Sequence, residues 1–216
     1  MSNPYGLVVF DWEGTIADTV GQIIHSVTDE ADKLGLGKVA PISVNKYVSL
    51  GLDQAIRKSY PMSSNSQQTQ LMEAVQQALF SQNAQLRLVP GVVDFIKTLQ
   101  GAKVNLALAT NKGQFSLTRA LQTTGLESFF KVTRCAGLVP AKPCPQMLEE
   151  IMVVFNQDAA GTLMIGDSIT DMEMASRINV DAIGIDIYNQ HEVDLKTAGA
   201  KVVFQDYWQL AGYLGF

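Results

Sequence analysis

Residues 7–15 read LVVFDWEGT. Four apolar residues lead into two carboxylates, Asp11 and Glu13, with Trp12 between them and Gly14 and Thr15 directly after. An unbroken apolar run of this length suits a strand buried on both faces. Two acids have no place inside such a strand, so it must end at Phe10. Asp11 and Glu13 then stand in the turn beyond it, which Gly14 permits.

Five further runs have the same character: VNLALAT (104–110), KVTRC (131–135), TLMIGD (162–167), DAIGID (181–186) and KVVF (201–204). Helical spacing separates them. Val92, Phe95, Ile96 and Leu99 share one face of 92–100. QFSLTRALQTTG (114–125) ends on Gly125, a suitable helix terminator. QMLEEIMVVF (146–155) and DMEMASRI (171–178) complete the set. Continuous apolar strands alternating with helices predict an α/β fold with a parallel sheet covered on both faces. Ligands of such sheets bind beyond the carboxyl ends of the strands. Asp11, Thr110 and Asp167 each fall at such an end.

The stretch from Asp11 to Val104 is far too long for an ordinary crossover. Most of it reads as helix. TVGQIIHSVTDEADKLGLG follows Asp18, a good N-cap. SVNKYVSLGLDQAIRKSY reads as two helices joined around Gly51, and SQQTQLMEAVQQALFSQN as one long helix. A helical domain at 19–86 is therefore expected inside a core made of 1–18 and 87–216.

Composition narrows the function classes. The chain has 216 residues, 47% of them hydrophobic, enough for one sizeable core with a smaller second domain. A net charge of -5 argues against a nucleic-acid surface. No apolar run approaches the roughly 20 residues of a membrane span. The N-terminus lacks the pattern of a signal peptide. Cys135 and Cys144 are too few and too isolated for a zinc site, and His25 and His191 do not add one. Two such thiols suit a reducing compartment. A cytoplasmic protein acting on a small molecule is expected, as a monomer or homodimer.

Asp11, held at a strand end, is placed to attack phosphorus and form an aspartyl-phosphate. A second carboxyl two residues on, Glu13, can protonate the leaving oxygen and later activate water. Several acids and a phosphate repel one another, which calls for a divalent cation, with Mg²⁺ suited to oxygen ligands. Asp11 and Asp167 offer side-chain ligands, and Glu13 offers its backbone carbonyl. Thr110 and Asn111 offer a hydroxyl and an amide to phosphoryl oxygens, and Lys142 a fixed positive charge. Asp171 can orient metal-bound water or hold Lys142. Each residue alone has a plainer reading: a strand-end Asp as a turn residue, GDSITD as a helix cap with a solvated second acid, and Trp12, Phe115, Met172 and Met174 as packing.

Taken together, DWEGT, ATNK, AKPCP and IGDSITDMEMA resemble the four motifs of the haloacid dehalogenase-like (HAD) hydrolase superfamily. The resemblance covers essentially the whole chain. ATNK, the KP-P spacing and the stretch YVSLGLDQAI look most like the phosphoglycolate phosphatase-like branch. It implies a Rossmann-like core with an inserted C1-type helical cap. It also implies Mg²⁺-dependent hydrolysis of a small phosphorylated metabolite through Asp11. Phosphate contacts would come from Thr110, Asn111 and Lys142, and metal ligation from Asp11, Asp167 and Asp171. The cap loop at Gly51 would close on the substrate.

Two positions depart from the pattern. The family's phosphatases usually carry Asp where this chain has Glu13, and Cys144 stands where an Asp is frequent. Three readings of Glu13 stay open: an acid/base after local adjustment, a slow one that lets the phosphoenzyme pass its group to another acceptor, or a sign of ligand binding without turnover. Other chemistries fit less well. A dehalogenase attacks carbon without a metal, and a phosphonate hydrolase has a small residue at position 13 and a cap lysine. Lys33 and Lys46 show no sign of that role.

Overall fold

The six apolar runs form six strands in a computed structural model that describes residues 4–48, 51–80 and 86–216. They are β1 (Leu7–Phe10), β2 (Asn105–Thr110), β3 (Val132–Cys135), β4 (Thr162–Gly166), β5 (Asp181–Ile185) and β6 (Val202–Phe204). All neighbours pair in parallel, in the order β3-β2-β1-β4-β5-β6. The fold is α/β, as the alternation predicts. The first strand in the chain is central in the sheet: Leu7 registers with Asn105 on one side and with Thr162 on the other.

Alternate residues of β1 face opposite layers. Leu7 and Val9 join a buried cluster with Met147, Leu148 and Ile151 of the helix Gln146–Phe155. Phe10 faces the other layer, edge-on to Phe95 at 6.1 Å and to Phe130 at 6.0 Å. Because both faces are covered, none of the four residues of β1 needs to be polar, and all four are buried.

The chain divides into two compact units, the core (up to Ala17 and from Leu88) and Asp18–Arg87. The second is helical: α1 (Thr19–Lys33), α2 (Pro41–Val48), α3 (Leu52–Ser59) and α4 (Asn65–Phe80). Asp18 caps α1, its carboxylate accepting from Gly21 N–H at 2.8 Å. Its own N–H donates to Arg87 O at 2.8 Å, which closes the unit at its two ends. Gly21, Ile24, Val27 and Ala31 form the buried stripe of α1, and α1 packs on α4 while α2 packs on α3. Gly51 opens α3 with φ of 91°, a conformation that favours glycine. Ser49 and Leu50, within the cap-like stretch, and 81–83, at the end of the long expected helix, lie outside the described residues.

The core adds α5 (Val92–Gly101), α6 (Gln114–Thr124), α7 (Gln146–Phe155), α8 (Ile169–Ser176), α9 (Glu192–Ala198) and α10 (Tyr207–Leu214). The last two were not signalled by the apolar runs. Met172 and Met174 are core residues, as expected, but Phe115 is not: it is 83% exposed. α6 buries Leu117, Ala120 and Leu121, and Phe115 lies off that stripe.

Phe10 is the large side chain joining β1 to α5. Phe10→Ala is expected to cost about 3–5 kcal/mol and to lower the melting temperature by roughly 10 °C, as read by thermal unfolding.

Candidate active site

Five of the expected residues converge at the carboxyl edge of the sheet. Asp11 follows β1, Thr110 ends β2, Asp167 follows β4, Asp171 lies in the first turn of α8, and Lys142 comes from the loop between β3 and α7. Asp11 N–H still donates to Ile165 O at 2.9 Å, so the sheet ladder itself fixes the first acid beside β4. The following turn is tight, with Ile16 N–H and Ala17 N–H both donating to Trp12 O. Trp12 is fully buried beneath it.

Two glycines let the acids meet. A Cβ on Gly14, whose φ is +73°, would fall 1.9 Å from Asp167 Oδ2. A Cβ on Gly166 would fall 2.4 Å from Asp171 Cγ. With both absent, Asp11, Asp167 and Asp171 each bring one oxygen within 4.8 Å of the others.

Lys142 is buried among these acids. Its Nζ donates to Asp171 Oδ1 at 2.6 Å and lies 2.7 Å from Asp11 Oδ1. The Asp11 contact has the distance of an ion pair without the angles of a hydrogen bond, and Asp11 Oδ1 has no hydrogen-bond partner. Asp171 accepts Ser168 N–H and Ser168 Oγ on its other oxygen. GDSITD is therefore a helix cap, but its second acid is fully buried and bound to Lys142 rather than solvated.

The electrostatics follow from burial. Asp11 is raised to about 6, first by burial, then by the charge of Asp171, with Lys142 opposing. Asp167 is raised well above the ordinary carboxylate range by burial and by Asp11 and Asp171. Burial alone would push the Lys142 ammonium down, but Asp11 and Asp171 outweigh it and hold it above its usual value. One ammonium among three carboxylates leaves negative charge uncompensated. That imbalance, the unpartnered oxygen on Asp11 and the all-oxygen donor set fit a hard divalent cation. Asp171 is the least available of the three ligands, because both its oxygens already accept hydrogen bonds.

Asn111 and Glu13 line one cleft with Asp11, Thr110, Lys142 and Asp167 without joining the acid cluster, and Thr110 is tied into its own turn. Asn111 is exposed, and its Oδ1 accepts from Lys142 N–H at 2.9 Å, so it anchors the Lys142 loop. Thr110 is buried, and its hydroxyl oxygen accepts from Lys112 N–H, which leaves its O–H to donate elsewhere. The Glu13 side chain lies apart from the three-acid cluster and is bound by Lys112 Nζ at 2.5 Å. Gly51 belongs to the helical unit. Cys144 is a half-buried free thiol. An open cleft of about 420 Å³ joins Asp11, Glu13, Thr110, Lys112, Lys142 and Asp167.

Three contacts were not foreseen: Lys112 with Glu13, Tyr207 with Thr15, and Thr15 with Asp167. Lys112 stands in the ATNK motif, yet nothing local connects it with Glu13. Tyr207, fully buried at the start of α10, donates its hydroxyl to Thr15 O at 3.0 Å, and Thr15 Oγ1 donates to Asp167 Oδ1 at 3.3 Å. Burial, then the charges of Asp167 and Asp11, hold the Tyr207 hydroxyl protonated well above its usual range.

The comparisons with known proteins agree with this geometry. The haloacid dehalogenase-like hydrolase profile matches residues 8–185. The chain belongs to that family. It is 29% identical over 212 residues to a probable phosphatase, IndB, of Dickeya dadantii, covering 95% of this chain and 92% of that one. It is 25% identical over 218 residues to a phosphoglycolate phosphatase of Psychrobacter arcticus, covering 96% and 95%. Among solved structures, a HAD family hydrolase of Deinococcus radiodurans with bound phosphate and sodium superposes with a TM-score of 0.70 at 16% identity, covering 99% and 96%. That likeness concerns the fold. No described helix of the chain is long and apolar enough to cross a membrane.

Asp11 and Asp167 keep their protons to higher pH in the folded chain than in the unfolded one. The metal-free protein therefore loses stability as pH rises from about 4 through about 6. Thermal unfolding in chelator should show a lower midpoint at pH 7.5 than at pH 5.5, and Mg²⁺ should raise the midpoint more at the higher pH. Tyr207→Phe keeps the buried ring and removes one hydrogen bond. It should cost about 1 kcal/mol of stability and weaken Mg²⁺ binding several-fold, measured by titrating the midpoint with the ion.

Proposed function

We propose that this chain is a cytoplasmic, Mg²⁺-dependent phosphatase that hydrolyses a small phosphomonoester through an aspartyl-phosphate on Asp11. The observation that carries the reading is Asp11 itself: a buried carboxylate at a strand end, one oxygen without a hydrogen bond, beside a lysine ammonium and in one cleft with Thr110. An Asp oxygen attacks phosphorus, the ester P–O bond breaks, and the Glu13 carboxyl gives its proton to the departing oxygen. Water then attacks phosphorus, Glu13 takes its proton, and the bond to Asp11 breaks to release phosphate. Thr110 donates its hydroxyl to a phosphoryl oxygen, and Asn111 its amide. Lys142 balances the charge that builds up.

Asp11, Asp167 and Asp171, with the carbonyl of Glu13, would hold the cation. Bound Mg²⁺ supplies the charge that lets an anionic phosphate approach an anionic nucleophile. The helical unit is our candidate for the cap, and its turn at Gly51 our candidate for selecting substrate. The names of the relatives support phosphate-ester chemistry and make phosphoglycolate the first compound to try. Two free thiols support a reducing compartment.

Phosphoryl transfer to an alcohol is the second reading. It is favoured by the glutamate at position 13, whose side chain lies outside the acid cluster. Slow activation of water would lengthen the life of the phosphoenzyme.

The test is phosphate release from a panel of phosphomonoesters, with Mg²⁺ and with chelator. Turnover of at least one metabolite should require the metal, and Asp11→Asn should reduce it by on the order of a thousandfold or more. Full activity in Asp11→Asn would refute the mechanism. Phosphate appearing on an added alcohol rather than in solution would select the second reading.

A further inference from the structure

Glu13 is one methylene longer than the Asp usual at its position, and its carboxylate does not join the acid cluster. Its partner is Lys112, whose Nζ lies 2.5 Å from Glu13 Oε1 across a contact that spans 99 positions of sequence. Lys112 is itself fixed at its backbone. Its N–H donates to Thr110 Oγ1 at 3.2 Å, so it rides on the same short turn as the candidate phosphate-binding hydroxyl. The other lysine of the cleft is committed elsewhere: Lys142 is 3% exposed and engaged with Asp11 and Asp171. The task of holding Glu13 therefore falls to Lys112.

A glutamate has three rotatable bonds and samples many positions when one end is free. An acid/base group must be held within about 1 Å of its working position, and misplacement costs on the order of a hundredfold in rate. Side chains at 39% and 23% exposure form an ion pair that adds little to stability. Its effect is on where the carboxylate sits. An aspartate at position 13 would be one methylene shorter, so Lys112 would have to shift to keep the contact.

We propose that Lys112 is a positioning residue for Glu13, holding its carboxylate in the cleft that Asp11 also lines, for proton transfer. The inference rests on the phosphatase reading and deepens it. Lys112 does not act on substrate; it limits where Glu13 can go.

The experiment is steady-state hydrolysis of whichever phosphomonoester the native protein turns over, with Mg²⁺ saturating. Lys112→Met, Lys112→Arg, Glu13→Gln, Glu13→Asp and the Lys112→Met/Glu13→Gln pair are compared. Lys112→Met is expected to lower kcat about 10- to 100-fold with KM nearly unchanged and with little change in melting temperature. Lys112→Arg keeps the charge and reach and should recover most of the rate. In the Glu13→Gln background, removing Lys112 should cost nothing more, because the two act as a unit.

Five results would overturn the proposal. A raised KM with kcat intact would make Lys112 a substrate contact. An equal loss on removing Lys112 from the native protein and from the Glu13→Gln variant would make it independent of Glu13. An unchanged rate in Lys112→Met, or a faster Glu13→Asp enzyme, would remove the pairing. Native protein inactive toward the whole panel would refute the phosphatase reading and this inference with it, whereas the other outcomes leave that reading standing.

Discussion

Everything at the carboxyl edge of the sheet depends on one buried ammonium. Lys142 sits between Asp11 and Asp171, with Asp167 close by, and burial penalises every charge in the group. Remove the lysine and three carboxylates would face one another in a region from which water is largely excluded. With it present the cluster is still short of positive charge. That shortage is a property of the folded chain, and a cation bound there would relieve it. Asn111, Ser168 and the Tyr207–Thr15 pair serve this arrangement by fixing backbone and carboxylates at its edges.

The sheet was legible because its strands are buried on both faces. Leu7–Phe10 and Thr162–Gly166 have no room for polar residues, so the apolar runs end where the strands end. The convergence of Asp11, Thr110 and Asp167 followed from the rule for parallel sheets. Harder to read were features that depend on distant partners. Tyr207 meets Thr15 across 192 positions, and Lys112 meets Glu13 across 99. No periodicity signals either contact. α9 and α10 are short, and Trp208 and Tyr213 of α10 lie exposed, which blurs its stripe. Phe115 shows the converse, since a large aromatic in a helical pattern suggests packing and here faces outward.

Glycine shapes the site as much as the acids do. At Gly14 and Gly166 the space that a methyl group would fill holds a carboxylate instead. These positions explain why the acidic motifs carry glycine beside them: one lets Asp167 approach the turn after β1, and the other lets Asp171 fold back over the end of β4. The acids are brought together by what their neighbours lack, a constraint that a list of charged residues does not reveal.

The position of β1 also bears on how the chain assembles during synthesis. The first strand made is central in the sheet, and its two partners begin at Asn105 and Thr162. Until those segments leave the ribosome, an apolar strand has no edge to pair with. The helical unit at Asp18–Arg87 is one contiguous stretch whose packing partners are all made before β2, so it meets no such delay. The order of translation thus completes the helices while the central strand waits, and Asp11 is made long before the lysine and acids that give it its chemistry.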